Sequence, residues 1–423
     1  MYLNKSEKLI WLQLCKYKLI KVVCKCKHCE IYICNDKLKV VKSITEFYQY
    51  IIINYFSAMS TIKVEKLKNW YISNFENRLK GRRILFNDIE PIILNLSSKF
   101  KKEIIGSSEN NIPIYKISIG KGATKILLWT QMHGNESTGT KAVFDLFKFL
   151  ENNSLAKLIL SKCTLQFIPI LNPDGAINFT RENANMVDLN RDAVALSAKE
   201  SKLLRSVLDN FNPQFCFNLH DQRSIFNVKN TSNPATISFL APSINEERTL
   251  TEGRKETMSV IVAMNHLLQK IIPNQIGRYT DEFYPTATGD NFQKLGHNTI
   301  LIEAGHYKND YDREKTREFN FYALVQGLHF IATNTMFKKY DGYFSIPNND
   351  KYFLDIIYKN LSIDIDGLKV ITDVGIQLKY KVLGGKLVKY KCIEKTGDLT
   401  NYFSNNIINA ENLKYLELEL SNS

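Results

Sequence analysis

Two histidines and two glutamates are the residues whose types and spacing can do chemistry together. His133-Gly134-Asn135-Glu136 closes an apolar run, and Arg181, Asp188-Leu189-Asn190-Arg191, His220 and Glu303 follow downstream. Imidazole nitrogen and carboxylate oxygen are favoured zinc ligands, and a catalytic zinc site keeps three protein ligands and one position for water. His133 and Glu136, three apart in a glycine-containing loop, can reach one ion, with His220 as the third ligand. Glu303 is then a carboxylate available for proton transfer, and Arg181 and Arg191 offer guanidinium groups to anionic oxygen. The set describes metal-assisted hydrolysis next to a carboxylate. A lone His-x-x-Glu is a weak signal in a chain with seven histidines. His28, His266, His297, His306 and His329 lack a comparable setting, although His306 is near enough to Glu303 to support it.

The elements that must position these groups alternate between strand and helix patterns. Ile112 to Ile119, Lys125 to Thr130, Leu165 to Leu171, Gln214 to Leu219, Thr236 to Leu240 and Thr299 to Ile302 read as strands. Thr138 to Leu150, Ser197 to Asp209, Glu246 to Ile271 and Glu314 to Thr333 carry helical spacing, and Asn172-Pro173-Asp174-Gly175 is a turn signal. Alternation of this kind predicts an α/β fold, a mixed and largely parallel sheet with helices on both faces. His133, Asn172, His220 and Glu303 each fall just past a strand end, where the loops of such a sheet converge.

Composition permits a globular protein and argues against other classes. The chain has 423 residues, 44% of them hydrophobic, enough for a large core. Its net charge of +13 comes mostly from scattered lysines. No basic stripe or stacking motif accompanies the charge, so no nucleic-acid partner is expected. Residues 1–58 differ from the rest, with ten lysines against four acidic residues and five of the eight cysteines. Cys24, Cys26, His28, Cys29 and Cys34 match no standard zinc-ligand frame, and lysines interrupt every apolar stretch that could serve as an export signal. Met59-Ser60-Thr61 opens a lysine-rich helical pattern of the kind that begins soluble proteins. We therefore expect 1–58 to be an atypical extension that is not translated naturally, and the protein to be cytoplasmic and not membrane-bound. Cys163, Cys216 and Cys392 sit in apolar contexts, as buried thiols do.

Residues 59–337 are read as the catalytic domain and 338–423 as a small β-rich region. In the latter, Val370 to Lys381, Lys386 to Ile393 and Leu413 to Leu420 have strand character, with Gly384-Gly385 as a hairpin turn. Nothing in it suggests chemistry.

Over about 112–332 the chain resembles the zinc carboxypeptidase family, the metallopeptidases related to pancreatic carboxypeptidase A. The elements occur in family order: His133 and Glu136, the turn at Asn172 to Gly175, Arg181, Asn190-Arg191, His220, and Glu303 in Ile302-Glu303-Ala304-Gly305. The resemblance implies that His133, Glu136 and His220 hold one Zn2+ per chain and that Glu303 is general base and acid. It also implies that Arg181 stabilises an oxyanion and that Asn190 and Arg191 clamp the free carboxylate of a peptide or peptide-like substrate. Asp188 matches the family position that accepts the ring proton of the first zinc histidine, and it is equally suited to capping the turn that follows. Asn135 stands where the pancreatic branch has arginine, a shift toward bacterial-type members. Tyr279 and Tyr284 are both candidates for the family's mobile tyrosine, and no segment between His220 and Glu303 announces a side-chain pocket.

Two other readings share these motifs. N-acyl amino acid deacylases of the aspartoacylase and succinylglutamate desuccinylase type also carry His-Gly-Asn-Glu and Asp-Leu-Asn-Arg, and a non-catalytic binding module could retain the scaffold. The peptidase substrate is open between an ordinary peptide and a cell-wall peptide, and the oligomeric state leaves no mark in the sequence.

Overall fold

Apolar runs buried on both faces set the centre of this fold, as expected where helices cover a sheet from two sides. The computed structural model describes residues 20–25, 30–34, 37–41, 62–334, 337–365 and 367–413. The chain divides into two compact units, Met1–Ile62 and Lys63–Ser423. In the first, β1 (Ile20–Lys25), β2 (Glu30–Cys34) and β3 (Lys37–Val41) form an antiparallel sheet. The cysteine and histidine side chains at 24–34 lie outside what is described.

In the second unit, helices α1 (Val64–Asn74) and α2 (Phe86–Leu94) precede strands β4 (Lys101–Ser107), β5 (Pro113–Gly120) and β6 (Thr124–Thr130). Next come α3 (Thr138–Asn152), α4 (Ser154–Lys162), β7 (Cys163–Ile168), α5 (Pro173–Asn178), α6 (Lys199–Phe211), β8 (Phe215–Asp221) and the short β9 (Asn227–Val228). They are followed by β10 (Ile237–Leu240), α7 (Glu252–Leu268), β11 (Ile276–Arg278), α8 (Thr288–Lys294), β12 (Asn298–Ala304) and α9 (Glu314–Thr333). Eight strands pair in the order β11-β10-β12-β8-β6-β7-β5-β4. The central four, β12-β8-β6-β7, are parallel throughout, while β10 and β5 join them antiparallel. The mixed, largely parallel sheet expected from the sequence is the one observed.

Period-two alternation sorts the strand residues between two cores. Leu127 and Trp129 of β6 face a cluster with Leu204, Leu208 and Phe211 of α6. On the opposite face Gly139 of α3 lies against Leu219, and Gly327 of α9 against Phe217. The parallel strands all end on one edge, which is why residues distant in sequence can meet there.

The predicted turn at Asn172 is more ordered than a loop. Pro173 opens α5, and the Asn172 side chain accepts from the Gly175 backbone N–H at 2.8 Å, a capped first turn of a short helix. The Leu165 to Leu171 run leaves the sheet early, at Ile168. Cys163 and Cys216 are buried thiols, whereas Cys392 is only half-buried.

Beyond α9, β13 (Asn349–Asp350) pairs with β9, and β14 (Phe353–Ile365), β15 (Leu368–Leu383), β16 (Lys386–Gly397) and β17 (Phe403–Asn409) form a four-stranded sheet. The expected hairpin joins β15 to β16, with Gly384 and Gly385 both at positive φ, 55° and 78°. Strands β14 and β17 were not expected from the sequence, and residues 414–420 of the predicted last strand lie outside the described residues. No described helix is long and apolar enough to cross a membrane.

One buried ion pair ties the helices of the second face together. Arg317 of α9 donates to both oxygens of Asp145 on α3, at 2.7 and 2.6 Å, and to the carbonyls of Leu79 and Glu76. Removing the carboxylate strands a buried cation. Asp145→Ala is expected to destabilise the fold by about 3–5 kcal/mol, read as a lowered midpoint in urea unfolding.

Candidate metal centre and cleft

The loop leaving β6 makes a turn that ordinary backbone resists. Gln131 adopts a left-handed conformation, φ 51°, unusual for a residue with a side chain. Its buried amide holds it there, donating to the Ile84 and Gly134 carbonyls and accepting from Thr140. The chain then passes directly over α5. A Cβ on Gly134 would lie 1.9 Å from the Gly175 carbonyl carbon, so only glycine fits. The His-Gly-Asn-Glu and Asn-Pro-Asp-Gly segments, about 40 residues apart, are thus in backbone contact.

This turn aims His133 and Glu136 back at the end of β8. Glu136 Oε1 lies 2.9 Å from His133 Nδ1, and its Oε2 lies 2.8 Å from His220 Nδ1. The two imidazole Nδ1 atoms are 3.2 Å apart. Both histidines are buried, at 1% and 2% exposure. Metal–ligand bonds of about 2.0–2.2 Å in a tetrahedron put donor atoms about 3.3 Å from one another. The three donors are already close to that spacing, and one divalent ion fits among them. His133 Nε2 turns outward to Asp188 Oδ1 at 3.1 Å, an orienting contact common behind metal-bound imidazole. Asp188 also accepts from the Asn190 backbone N–H at 2.9 Å, capping the turn that follows.

His220 and Glu303 do not lie past their strands but occupy the penultimate positions of β8 and β12, where they are register partners. Glu303 lines a cleft of about 620 Å³ together with Glu136, Arg181, Asp221, Tyr279 and Arg313. Burial pushes the Glu303 carboxyl well above its usual range, and the Glu136 and Asp221 carboxylates add to the shift. Burial works the same way on Glu136, but the two histidines outweigh it and hold that carboxyl well below the usual range. Such a cluster of acids in a recessed cleft is relieved by a cation.

Arg181 lies at the rim of this group. Its Nε donates to Asp188 Oδ2 at 2.9 Å, and its Nη1 is 3.7 Å from Glu136 Oε1. Asn190 and Arg191 stand apart from the cleft lining. Asn190 Oδ1 accepts from the Thr288 backbone N–H at 3.2 Å, and the exposed Arg191 guanidinium packs over the Tyr284 ring at 5.6 Å. The two candidate tyrosines are now separable. Tyr279 is held inside the cleft by a 2.8 Å hydrogen bond to Gln222, whereas Tyr284 is 48% exposed and covers Arg191.

Sequence reasoning missed several cleft residues. Arg82, Asp221, Arg313, Tyr380 and Tyr390 all line it. Two of them belong to the C-terminal sheet, where no chemistry was expected. Long-range contacts bring that sheet in: Ser224, on the loop after His220, donates to Asp355 at 2.9 Å, and Arg83 donates to the hairpin carbonyl of Gly385 at 2.7 Å. Asp221, directly after His220, was the one available signal.

Residues 93–284 match the family described as zinc carboxypeptidase. Carboxypeptidase 2 of Trichophyton tonsurans is 31% identical over 110 residues, 25% of this chain and 20% of that protein. Carboxypeptidase SOL1 of Arabidopsis thaliana is 35% identical over 98 residues, 21% of this chain and 20% of its own length. The chain thus spans about a fifth of the length of the curated relatives it matches. Among solved structures, carboxypeptidase A of Helicoverpa armigera aligns with a TM-score of 0.49 at 12% identity, covering 79% of this chain and 96% of that one.

Two substitutions test the architecture without touching a candidate ligand. Asp188→Asn is expected to weaken zinc binding by about 10–100-fold, measured by competition with a chelating dye. Gly134→Ala is expected to lower metal content in the purified protein, read by elemental analysis.

Proposed function

Since residues 93–284 match the zinc carboxypeptidase family, we propose that the protein removes a C-terminal residue from a peptide or peptide-like amide, with one zinc ion held by His133, Glu136 and His220. The convergence of those three donors beside the cleft carboxyl of Glu303 carries this reading. When bound, zinc supplies Lewis acidity, making water a nucleophile near neutral pH and polarising the scissile carbonyl.

The remaining work falls to the side chains. Glu303 takes a proton from the attacking water at its carboxylate and gives it to the departing amine nitrogen. Its raised affinity for a proton suits a group that must both take and return one. Arg181 donates to the oxyanion as it forms, a contact whose loss typically costs about 3 kcal/mol of barrier. Asp188 fixes the His133 ring and the Arg181 guanidinium at once. Asn190 keeps its amide donors for the terminal carboxylate because its oxygen is already engaged by Thr288. Arg191 is exposed and held only by Tyr284 and a 2.9 Å hydrogen bond to the adjacent Asn190 carbonyl, so it can turn to grip that carboxylate in a bidentate geometry. Tyr284 is the tyrosine suited to move with it.

Glu303→Gln is expected to lower kcat by more than about a hundredfold while zinc content stays at one per chain. Unchanged turnover by this variant would remove Glu303 from the mechanism. A panel of dipeptides set against N-acetyl and N-succinyl amino acids tests the reaction class. Release of the C-terminal residue from dipeptides is expected, and turnover confined to the acyl amino acids would assign a deacylase instead.

A further inference from the structure

One wall of the cleft comes from outside the segment that matches the family. Arg82 precedes residue 93, and Gln377, Leu378, Lys379, Tyr380 and Tyr390 follow residue 284. Arg82 is rigidly placed. Its carbonyl accepts from Ser137 beside Glu136, Ile84 is tied to Gln131, and Arg83 bonds the Ile177 and Gly385 carbonyls. Its guanidinium lies over the Tyr380 ring at 5.0 Å.

The other cleft arginines have closer partners. Arg181 is paired with Asp188, Arg223 and Lys379 with Glu394, and Arg313 with the Ala304 and Gln222 carbonyls. Among the described residues the Arg82 guanidinium makes no hydrogen bond, although its side chain is only 14% exposed; it has one long ion pair, 4.0 Å to Asp221 Oδ2. A recessed guanidinium with unused donors is costly, and an anion meeting it in two directions relieves the cost.

The two arginines meet the metal-ligand cluster through different residues. Asn190 and Arg191 connect through Asp188 to His133, and from there the path runs through Glu136 and the Asp221 backbone N–H to Arg82. We propose that Arg82, backed by Tyr380, is a second anion-binding point. It favours substrates with an anionic group on the residue amino-terminal to the scissile amide. The assignment of that residue rests on the reading that Arg191 takes the terminal carboxylate.

The test uses the zinc-loaded full chain and two blocked dipeptides, N-acyl-Glu-X and N-acyl-Gln-X with the same X. The kcat/KM ratio of Glu to Gln is expected to be about ten or more. It should fall to within about twofold of one in Arg82→Met, and partly in Tyr380→Leu, which carries the comparison if Arg82→Met does not fold. A purely structural role would slow both peptides alike and leave the ratio intact. A wild-type ratio near one, or one that survives both variants, overturns the proposal. If neither peptide is hydrolysed, the carboxypeptidase reading fails, and calorimetric binding then decides the anion site. N-acetylglutamate binding more tightly than N-acetylglutamine, with the difference lost in Arg82→Met, sustains the site; equal binding overturns it.

Discussion

The close passage of Gly134 over Gly175 is the constraint from which the site follows. Parallel strands ending on one edge bring four loops into the same region, but they do not by themselves turn two side chains of one loop onto a common point. The left-handed Gln131 and the backbone contact at Gly134 do so. They fold the His133 to Glu136 segment back over the sheet edge, toward His220 at the end of the neighbouring strand. A strained residue of this kind costs on the order of 1–3 kcal/mol and persists only where its surroundings hold it. Here three hydrogen bonds from one buried amide do the holding.

Charge is the second organising factor. Glu136, Asp221 and Glu303 are gathered where burial alone would keep carboxyls neutral. The histidines draw Glu136 into its charged form, while Glu303 remains the group with the higher proton affinity. Neighbouring glutamates thereby differ in proton affinity, as ligand and proton carrier require. Asp188 extends the arrangement outward by engaging His133 and Arg181 together.

Much of this was legible because it depends on local patterns. The apolar runs of β6, β8 and β12 mark a buried parallel sheet, and residues ending such runs collect on one edge. The candidate ligands and Glu303 stand out because each combines a reactive residue type with a strand terminus. What escaped depends on distant contacts. Arg82 belongs to a run of basic residues like any solvated surface, and only the hairpin of β15 and β16 makes it part of a cleft. Strand β14 was hidden by a lysine and an aspartate whose partners exist only in the fold: Lys359 pairs with Asp373 of β15, and Asp355 accepts from Ser224. The N-capped helix at Asn172 read as a turn because the first residues of both carry the same chemistry. Gln131 gave no warning at all, since its conformation is imposed by Ile84 and Thr140.

A zinc-edge anomalous difference map from crystals of the zinc-loaded protein tests the central claim most directly. The account predicts one strong peak per chain, about 2.0–2.2 Å from Nδ1 of His133, Nδ1 of His220 and a carboxylate oxygen of Glu136. A peak held by other residues, or none at stoichiometric zinc, would contradict it.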